Sequence, residues 1–441
     1  MPDKLPESWA RLPLGALGRF NTSSVDKLVK PIEEPVSLVN YMDVYRHRHI
    51  GTDIELQRVT ATSEERARYQ VQVGDILFTP SSETPDDIGH SAVITEELSD
   101  TLHSYHTVRL RPDGRIPLDV RFCGYFANSD AVRRYLSQRA AGSTRYTLSL
   151  DSFRNAVVDI PPLQDQQRIA EILSTVDQAI EQTEALIAKT QQIKAGLMHD
   201  LFTRGVTADG QLRPPREEAP QLYKESPLGW IPKEWDVRPL DKLADVNRGK
   251  FTIRPRNDPR YYNGQYPFIQ TGDVALAGGR VLASYSQTLN SLGLGVSRLF
   301  PVGTIMVTIA ANIADTCILG IPMCAPDSLV GVVPNAGEVA RFLELCIRRR
   351  KRWFENRAPQ TAQKNINLDD LRPMLVPYPA PDEQSRIAER YEAIDAQLLE
   401  NEEAATKLGM FKRGLMQDLL SGAVPVAVEH QPGRKEVAAN V

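Results

Sequence analysis

The stretch PPLQDQQRIAEILSTVDQAIEQTEALIAKTQQIKAGLMHDLFTRGV, residues 161–206, returns as PAPDEQSRIAERYEAIDAQLLENEEAATKLGMFKRGLMQDLLSGAV at residues 379–424, displaced by 218 residues and needing no gap. Extended upstream to Leu148 and Ile366, the two copies share 20 identities in 59 aligned positions. The front ends of the halves also match: Pro6-x2-Trp9-x3-Pro13-Leu14-x2-Leu17 returns as Pro232-x2-Trp235-x3-Pro239-Leu240-x2-Leu243. Between front and back the likeness thins to islands, such as Asp43-Val44 against Asp273-Val274 and Val73-Gly74-x-Ile76 against Val302-Gly303-x-Ile305. The chain is therefore a tandem repeat that has kept its frame and let its middles diverge. Inserts that do similar jobs on different targets produce that contrast; plain drift would not spare the ends so selectively.

Each repeated segment predicts one long helix. Gln164 to Arg204 holds no proline, its apolar residues fall at helical spacing, and Gly205 follows as a stop. Written in sevens, Ile169, Val176 and Leu197 share one seam position and Ile172, Ala179, Leu186 and Ile193 the next, with Leu173, Ile180, Ile187 and Leu201 widening the stripe. The second copy places Ile387, Ile394, Leu408, Phe411 and Leu415 on equivalent positions, beside Tyr391, Leu398 and Leu419. About 40 residues at ~1.5 Å each make a rod of roughly 60 Å, too long for one compact domain to cover. The simplest cover for each stripe is the other copy. An antiparallel pair is expected, because a parallel one would require the chain to return the whole length of the rod. Thr183, Thr190 and Asn401 interrupt the seams as register-fixing polar residues or as weak spots.

The chain has 441 residues, more than one core usually organises, and 41% hydrophobic with 24% charged residues is an ordinary globular balance. No apolar run reaches the ~18 residues that span a bilayer, and Met1 to Ala10 does not resemble a secretion signal, so a cytoplasmic protein without membrane contact is expected. Cys123, Cys317, Cys324 and Cys346 are too scattered for a disulfide framework or a zinc site and read as reduced, partly buried thiols. Short β-branched runs punctuated by Gly, Pro and Asn make each insert, about 18–147 and 244–365, a compact α+β domain. The boundaries that follow are 1–160 for a first globular domain, 161–206 for the first long helix and 207–234 for an extended Pro-rich connector. A second domain then takes 235–378, the second helix 379–424 and a frayed tail 425–441.

The net charge of −4 divides unevenly. Residues 235–370 carry 17 Lys+Arg against 12 Asp+Glu, whereas the two helical stretches, 164–204 and 382–420, hold 4 against 6 and 5 against 9. Acidic helices repel a polyanion, so any nucleic-acid surface belongs to the globular domains. Residues 9–160 balance 18 against 20, so a basic face there is local. The candidates are Arg46 and Arg48, then Arg109 and Arg111, in the first insert, and Arg248, Lys250, Arg254 and Arg256 in the second, where the run Arg348 to Arg352 also stands out. Arginine suits guanine edges and phosphates, though each cluster reads equally as a solvated face. Polar stretches just before the two helices add Thr144 and Arg145, and Thr361, Gln363 and Lys364, as DNA contacts or as caps.

Catalytic motifs are missing: there is no Gly-rich cofactor loop after a strand, no Asn/Asp/Ser-Pro-Pro-aromatic element for a flipped base, no Walker loop and no acidic pair with a lysine for a nuclease. Asp159-Ile160-Pro161-Pro162 is a near miss explained as helix-start punctuation. Five of seven histidines, His47, His49, His90, His103 and His106, lie in the first insert without ligand spacing and read as polar surface residues. No catalytic, cofactor-binding or metal-binding residue is assigned. The competing possibilities are a methyltransferase or nuclease with unrecognised motifs and a coiled-coil scaffold that never touches DNA.

These residues resemble a family, the specificity subunits of type I restriction–modification systems. The likeness rests on Pro227-Leu228-Gly229-Trp230-Ile231-Pro232-x2-Trp235, on the Pro161 to Glu171 helix entrance with its copy at Pro379 to Glu389, and on the duplicated Gly-Leu-Met-x-Asp-Leu exits, and it covers nearly the whole chain. The first half lacks an equivalent of Pro227 to Trp230 before Trp9. The resemblance implies two α+β target recognition domains, separated by the antiparallel coiled coil in a pseudo-two-fold repeat, each reading one half of a split asymmetric site in double-stranded DNA. The helices would set the gap and, through the seam residues above, dock two methyltransferase subunits, with restriction (translocase) subunits joining. S-adenosylmethionine, ATP and Mg would then act in the partners, and this chain would be non-catalytic.

Overall fold

The computed structural model describes residues 5–310, 312–357 and 365–426. The chain divides into two compact units, one holding Met1–Ala185 with the stretch from Glu402 on, the other Leu186–Asn401. Each is an α+β body, and the two follow one plan.

In the first unit, a five-stranded sheet has the order Gly18–Thr22, Val108–Pro112, Ile76–Phe78, Ser91–Ile94, His49–Ile50. In the second, the order is Ala244–Arg248, Leu329–Pro334, Ile305–Thr308, Thr316–Leu319, Val281–Leu282. In both sheets neighbours are antiparallel except the last strand, which joins in parallel. A smaller sheet accompanies each: three strands in the first unit, centred on Glu34–Val39, and four in the second, built on Tyr262–Phe268. A two-stranded clasp closes each domain, Ala10–Pro13 with Val157–Ile160 and Asp236–Pro239 with Leu375–Tyr378. The matched motifs around Trp9 and Trp235 thus run into strands that bring each domain's start beside the entrance of its long helix.

The long helices are Leu163–Thr203 and Pro381–Leu420. Within the first unit, Ile169, Ala170 and Leu173 from the start of one share a core with Leu415 and Leu419 from the end of the other. Within the second, Leu197 and Leu201 from the end of the first helix pack with Ile387 and Tyr391 from the start of the second. The pairing is antiparallel in both. Two ion pairs fix its register: Lys412 with Asp177 in the first unit and Lys194 with Asp395 in the second. Each pair is the other moved by 218 residues with the helices exchanged.

The seam differs from the expected one by a row. Buried or half-buried residues recur at 169, 173, 176, 180, 183, 187, 190, 194, 197 and 201, alternating steps of four and three, and at the equivalent positions from 387 to 419. Ile169, Val176, Leu197, Ile387, Ile394, Leu408 and Leu415 lie on this stripe, whereas Leu186, Ile193 and Phe411 are 44%, 49% and 58% exposed. The second copy explains the shift. On the row of Ile172, Ala179, Leu186 and Ile193 it carries the polar Arg390 and Gln397 and the small Ala404 before Phe411, while the row of Leu173 and Ile180 continues as Tyr391 and Leu398. A pair made of duplicated helices must use one row in both.

The connector is folded, not extended. Tyr223–Ser226 and Gly229–Pro232 form a hairpin, and Ala219, Tyr223 and Ile231 are buried. Gly205 turns the chain out of the first helix at φ +67°, where a Cβ would strike Glu383 and Trp235. Buried Arg213 then reaches Glu383, which also accepts from the Val206 amide at 2.9 Å and the Trp235 indole at 3.1 Å. Prolines mark turns here, but the apolar residues between them supply enough burial to hold the segment down. All four cysteines are fully buried. The expected tail lies outside the described residues from 427 onward.

Candidate nucleic-acid interface

The arginines proposed from sequence fall into two physical classes. Arg109 is 5% exposed, and its guanidinium donates to the Gln70 carbonyl at 2.8 Å; burial pushes its pKa down despite nearby Asp75. Arg111 makes a bidentate pair with Asp75, at 2.7 and 2.6 Å, and a further bond to Gln70. Both therefore tie the strand Val108–Pro112 to the turn before Ile76–Phe78, because a carboxylate as buried as Asp75 needs these partners. Arg48 is likewise withdrawn: it lies against Met416 at 3.3 Å and over the Tyr125 ring, and burial lowers its pKa. These three guanidiniums make internal contacts. The run Arg348 to Arg352 is also anchored, since Arg348 pairs with fully buried Glu344 at 2.9 and 2.7 Å and Arg349 sits over Phe202.

The second class stays at the surface. Arg46 is exposed at the end of the helix Tyr41–Arg46. Thr144 and Arg145 are exposed before the strand Tyr146–Thr147, which pairs with Ser81–Ser82; Arg145 reaches the Ser81 hydroxyl at 3.2 Å. Arg248, Lys250, Arg254 and Arg256 are exposed at the rim of the second domain. Arg248 donates to the Asp327 carbonyl at 2.5 Å, and Arg254 and Arg256 share the Asp327 carboxylate at 3.5 and 2.6 Å. One carboxylate facing two guanidiniums leaves this rim net positive. Thr361, Gln363 and Lys364 lie outside the described residues.

Beside the rim opens a cleft of about 600 Å³, lined among others by Arg256, Tyr262, Gln270, Tyr285 and Gln287. Sequence reasoning passed over the two glutamines, since isolated amides carry no motif. His103 also departs from expectation. It is wholly buried, accepts or donates at Nδ1 with Thr107 at 3.1 Å, and has its pKa lowered to about 3 by burial and by Arg109 and Arg111.

Each domain is also held to its own stretch of the helix pair. In the first unit, Asp177 accepts from the Tyr125 hydroxyl at 2.9 Å as well as from Lys412. In the second, Asp395 accepts from Arg280 at 3.1 Å as well as from Lys194, and these cations hold its carboxyl below the usual range although burial alone would raise it. A single aspartate at equivalent positions thus binds partner helix and globular domain together.

Comparison with known proteins places these features in context. A family model described as the type I restriction modification DNA specificity domain matches residues 44–192 and again 232–407. A Methanocaldococcus jannaschii chain assigned as the specificity subunit of type I restriction enzyme MjaX is 25% identical over 372 residues, covering 82% of this chain and 81% of the relative. The EcoBI specificity subunit of Escherichia coli is 24% identical over 290 residues, 60% of this chain and 58% of its own. Among solved structures, the S subunit of a type I restriction–modification system from M. genitalium superposes with a TM-score of 0.57 at 13% identity, covering 97% of this chain and 98% of that one. A chain from a study of assembly and conformational transition in the type I R-M system gives 0.58 at 17%, over 96% and 100%. At such identities these structures speak to the fold alone. No helix among the described residues is long and apolar enough to cross a membrane.

Proposed function

Because the chain belongs to the type I restriction modification DNA specificity family, we propose that it acts as the sequence-reading, non-catalytic subunit of such a complex, with each globular domain reading one half of a bipartite, asymmetric site in double-stranded DNA. The observation that carries this reading is the duplicated plan: two sheets of identical strand order, each clasped at the entrance of its own long helix, with the helices antiparallel. One domain plan present twice, each copy with its own long helix, suits a site read as two halves. The diverged inserts suit half-sites of different sequence.

The helix pair then sets the unspecified gap. It also docks two methyltransferase subunits, and the exposed apolar residues Ile193 and Phe411, equivalent under the 218-residue displacement, offer one docking point on each helix. Restriction subunits join through the same complex, in the cytoplasm. S-adenosylmethionine, ATP and Mg serve the partners' chemistry, and this chain contributes the address.

The test is a domain exchange. Replacing residues 244–365 with the corresponding insert of another family member should change one half of the methylated site and spare the other, read by sequencing modified positions in DNA. A change in both halves, or methyl transfer by the purified chain alone, would refute the proposal.

A further inference from the structure

The two domains share one polar device that their diverged sequences do not advertise. In the first, the Asn40 side-chain amide donates from Nδ2 to Oε1 of Gln57 at 2.8 Å. In the second, the Gln270 amide donates from Nε2 to Oε1 of Gln287 at 3.1 Å. Both donors immediately precede a short helix, Tyr41–Arg46 or Thr271–Ala277, whose third residue, Asp43 or Asp273, accepts from the donor's backbone amide at 2.7 Å. Both acceptors begin the strand paired next to the one that leads into that helix, Gln57–Ala61 or Gln287–Leu289. Gln57 and Gln287 are exposed, whereas Asn40 is buried and Gln270 half-buried.

An exposed glutamine ordinarily spends rotamer freedom to make a defined contact. Here a fixed amide holds its carbonyl, and the exposed side chain keeps its Nε2 hydrogens and a second Oε1 lone pair for another partner. That donor–acceptor edge matches adenine N7 and N6 in the major groove, the pairing that glutamine makes bidentately. Around Gln287 the setting fits a nucleic acid as well: the same cleft carries Arg256, Tyr262 and Tyr285.

We infer that Gln287 and Gln57 are specificity-determining residues, each reading an adenine in its own half-site, and that Gln270 and Asn40 are their positioning residues. This rests on the DNA-reading proposal above. To test it, the native complex containing the full chain is incubated with a randomised duplex library and the bound fraction is sequenced. Wild type should yield two half-sites, each with a required adenine. Gln287→Ala should relax that adenine in one half-site by on the order of ten-fold while leaving the other half intact, and Gln57→Ala should do the converse. Gln287→Glu should move the preference at the same position toward cytosine, whose N4 donates to a carboxylate. The untouched half-site reports that each variant is folded. An unchanged consensus in Gln287→Ala, or relaxation at a base other than adenine, overturns this inference and leaves DNA reading standing. A wild-type complex that selects no consensus overturns both.

Discussion

Replacing Asp395 tests the logic that joins helix register to domain placement. Its carboxylate is 17% exposed and meets Lys194, 22% exposed, and Arg280, 37% exposed. A surface pair would contribute at most ~1 kcal/mol, and removing one member of a fully buried pair would cost roughly 3–5 kcal/mol. This site lies between the limits, and Arg280 is open enough for water to screen its share. Asp395→Asn should therefore destabilise the second unit by about 2 kcal/mol, mostly through a half-buried Lys194 left without its counter-charge. For a unit of this size that is a fall in Tm of roughly 4–8 °C. Differential scanning calorimetry of the full chain at pH 7 reads it directly, with the first unit as internal reference. The sign of the pH dependence is fixed as well. Asp395 is held below its ordinary value in the fold, so its contribution is complete above the unfolded carboxylate pKa of ~4 and disappears as pH falls through the lower folded value. The gap between wild type and Asp395→Asn should close in acid. In a double-mutant cycle, Lys194→Met combined with Asp395→Leu should cost less than the two singles together. A change under about 0.3 kcal/mol, or strict additivity, would refute the claim that this pair fixes the register.

Three further outcomes follow from other residues. Leu173→Ala, on the buried seam row, should cost roughly 2–5 kcal/mol in urea unfolding, whereas Leu186→Ala, 44% exposed, should cost less than about 1; equal costs would return the seam to the other row. His103 stays neutral in the fold with a pKa near 3; the unfolded chain takes up a proton below about 6.5, so stability should be full above that pH and decline toward pH 3 with a slope of up to ~1.4 kcal/mol per pH unit. His103→Asn should remove that share of the slope, and a slope unchanged from wild type would count against it. Ile193→Asp should reduce bound methyltransferase from two copies to one in native mass spectrometry, with Phe411→Asp removing the other; retention of both copies in each variant would exclude these docking points.

Much of the architecture was readable because duplication supplies its own control. The two helices follow from comparing residues 148–206 with 366–424, their antiparallel pairing from the length of chain a parallel return would need, and the α+β domains from the β-branched runs of the two inserts. The candidate interface was less readable, for a physical reason: a basic motif does not say where its charge is spent. Arg109 and Arg111 look like a surface pair until Asp75, more than thirty residues earlier, is brought beneath them by strand pairing. Nor does proline content alone decide extension, since Tyr223, Ile231 and Trp235 fold the connector. The seam was only partly legible, because in the first copy Leu186 and Ile193 look as apolar as Ile180 and Ile187, and Phe411 carries their row into the second. The second copy resolves the choice, and it holds still more. Between residues 172 and 195 only Asp177, Glu184, Lys189 and Lys194 are identical to their counterparts. When two copies of one helix pack antiparallel, a contact between position x of the first and position y of the second brings with it the contact between y of the first and x of the second. An ion pair across the seam recurs at the exchanged contact wherever its acid and its base are both kept in each copy. Asp177 and Lys194, kept as Asp395 and Lys412, show that pattern, and they form one such pair in each unit. The two exchanged pairs agree with the antiparallel register seen in each unit.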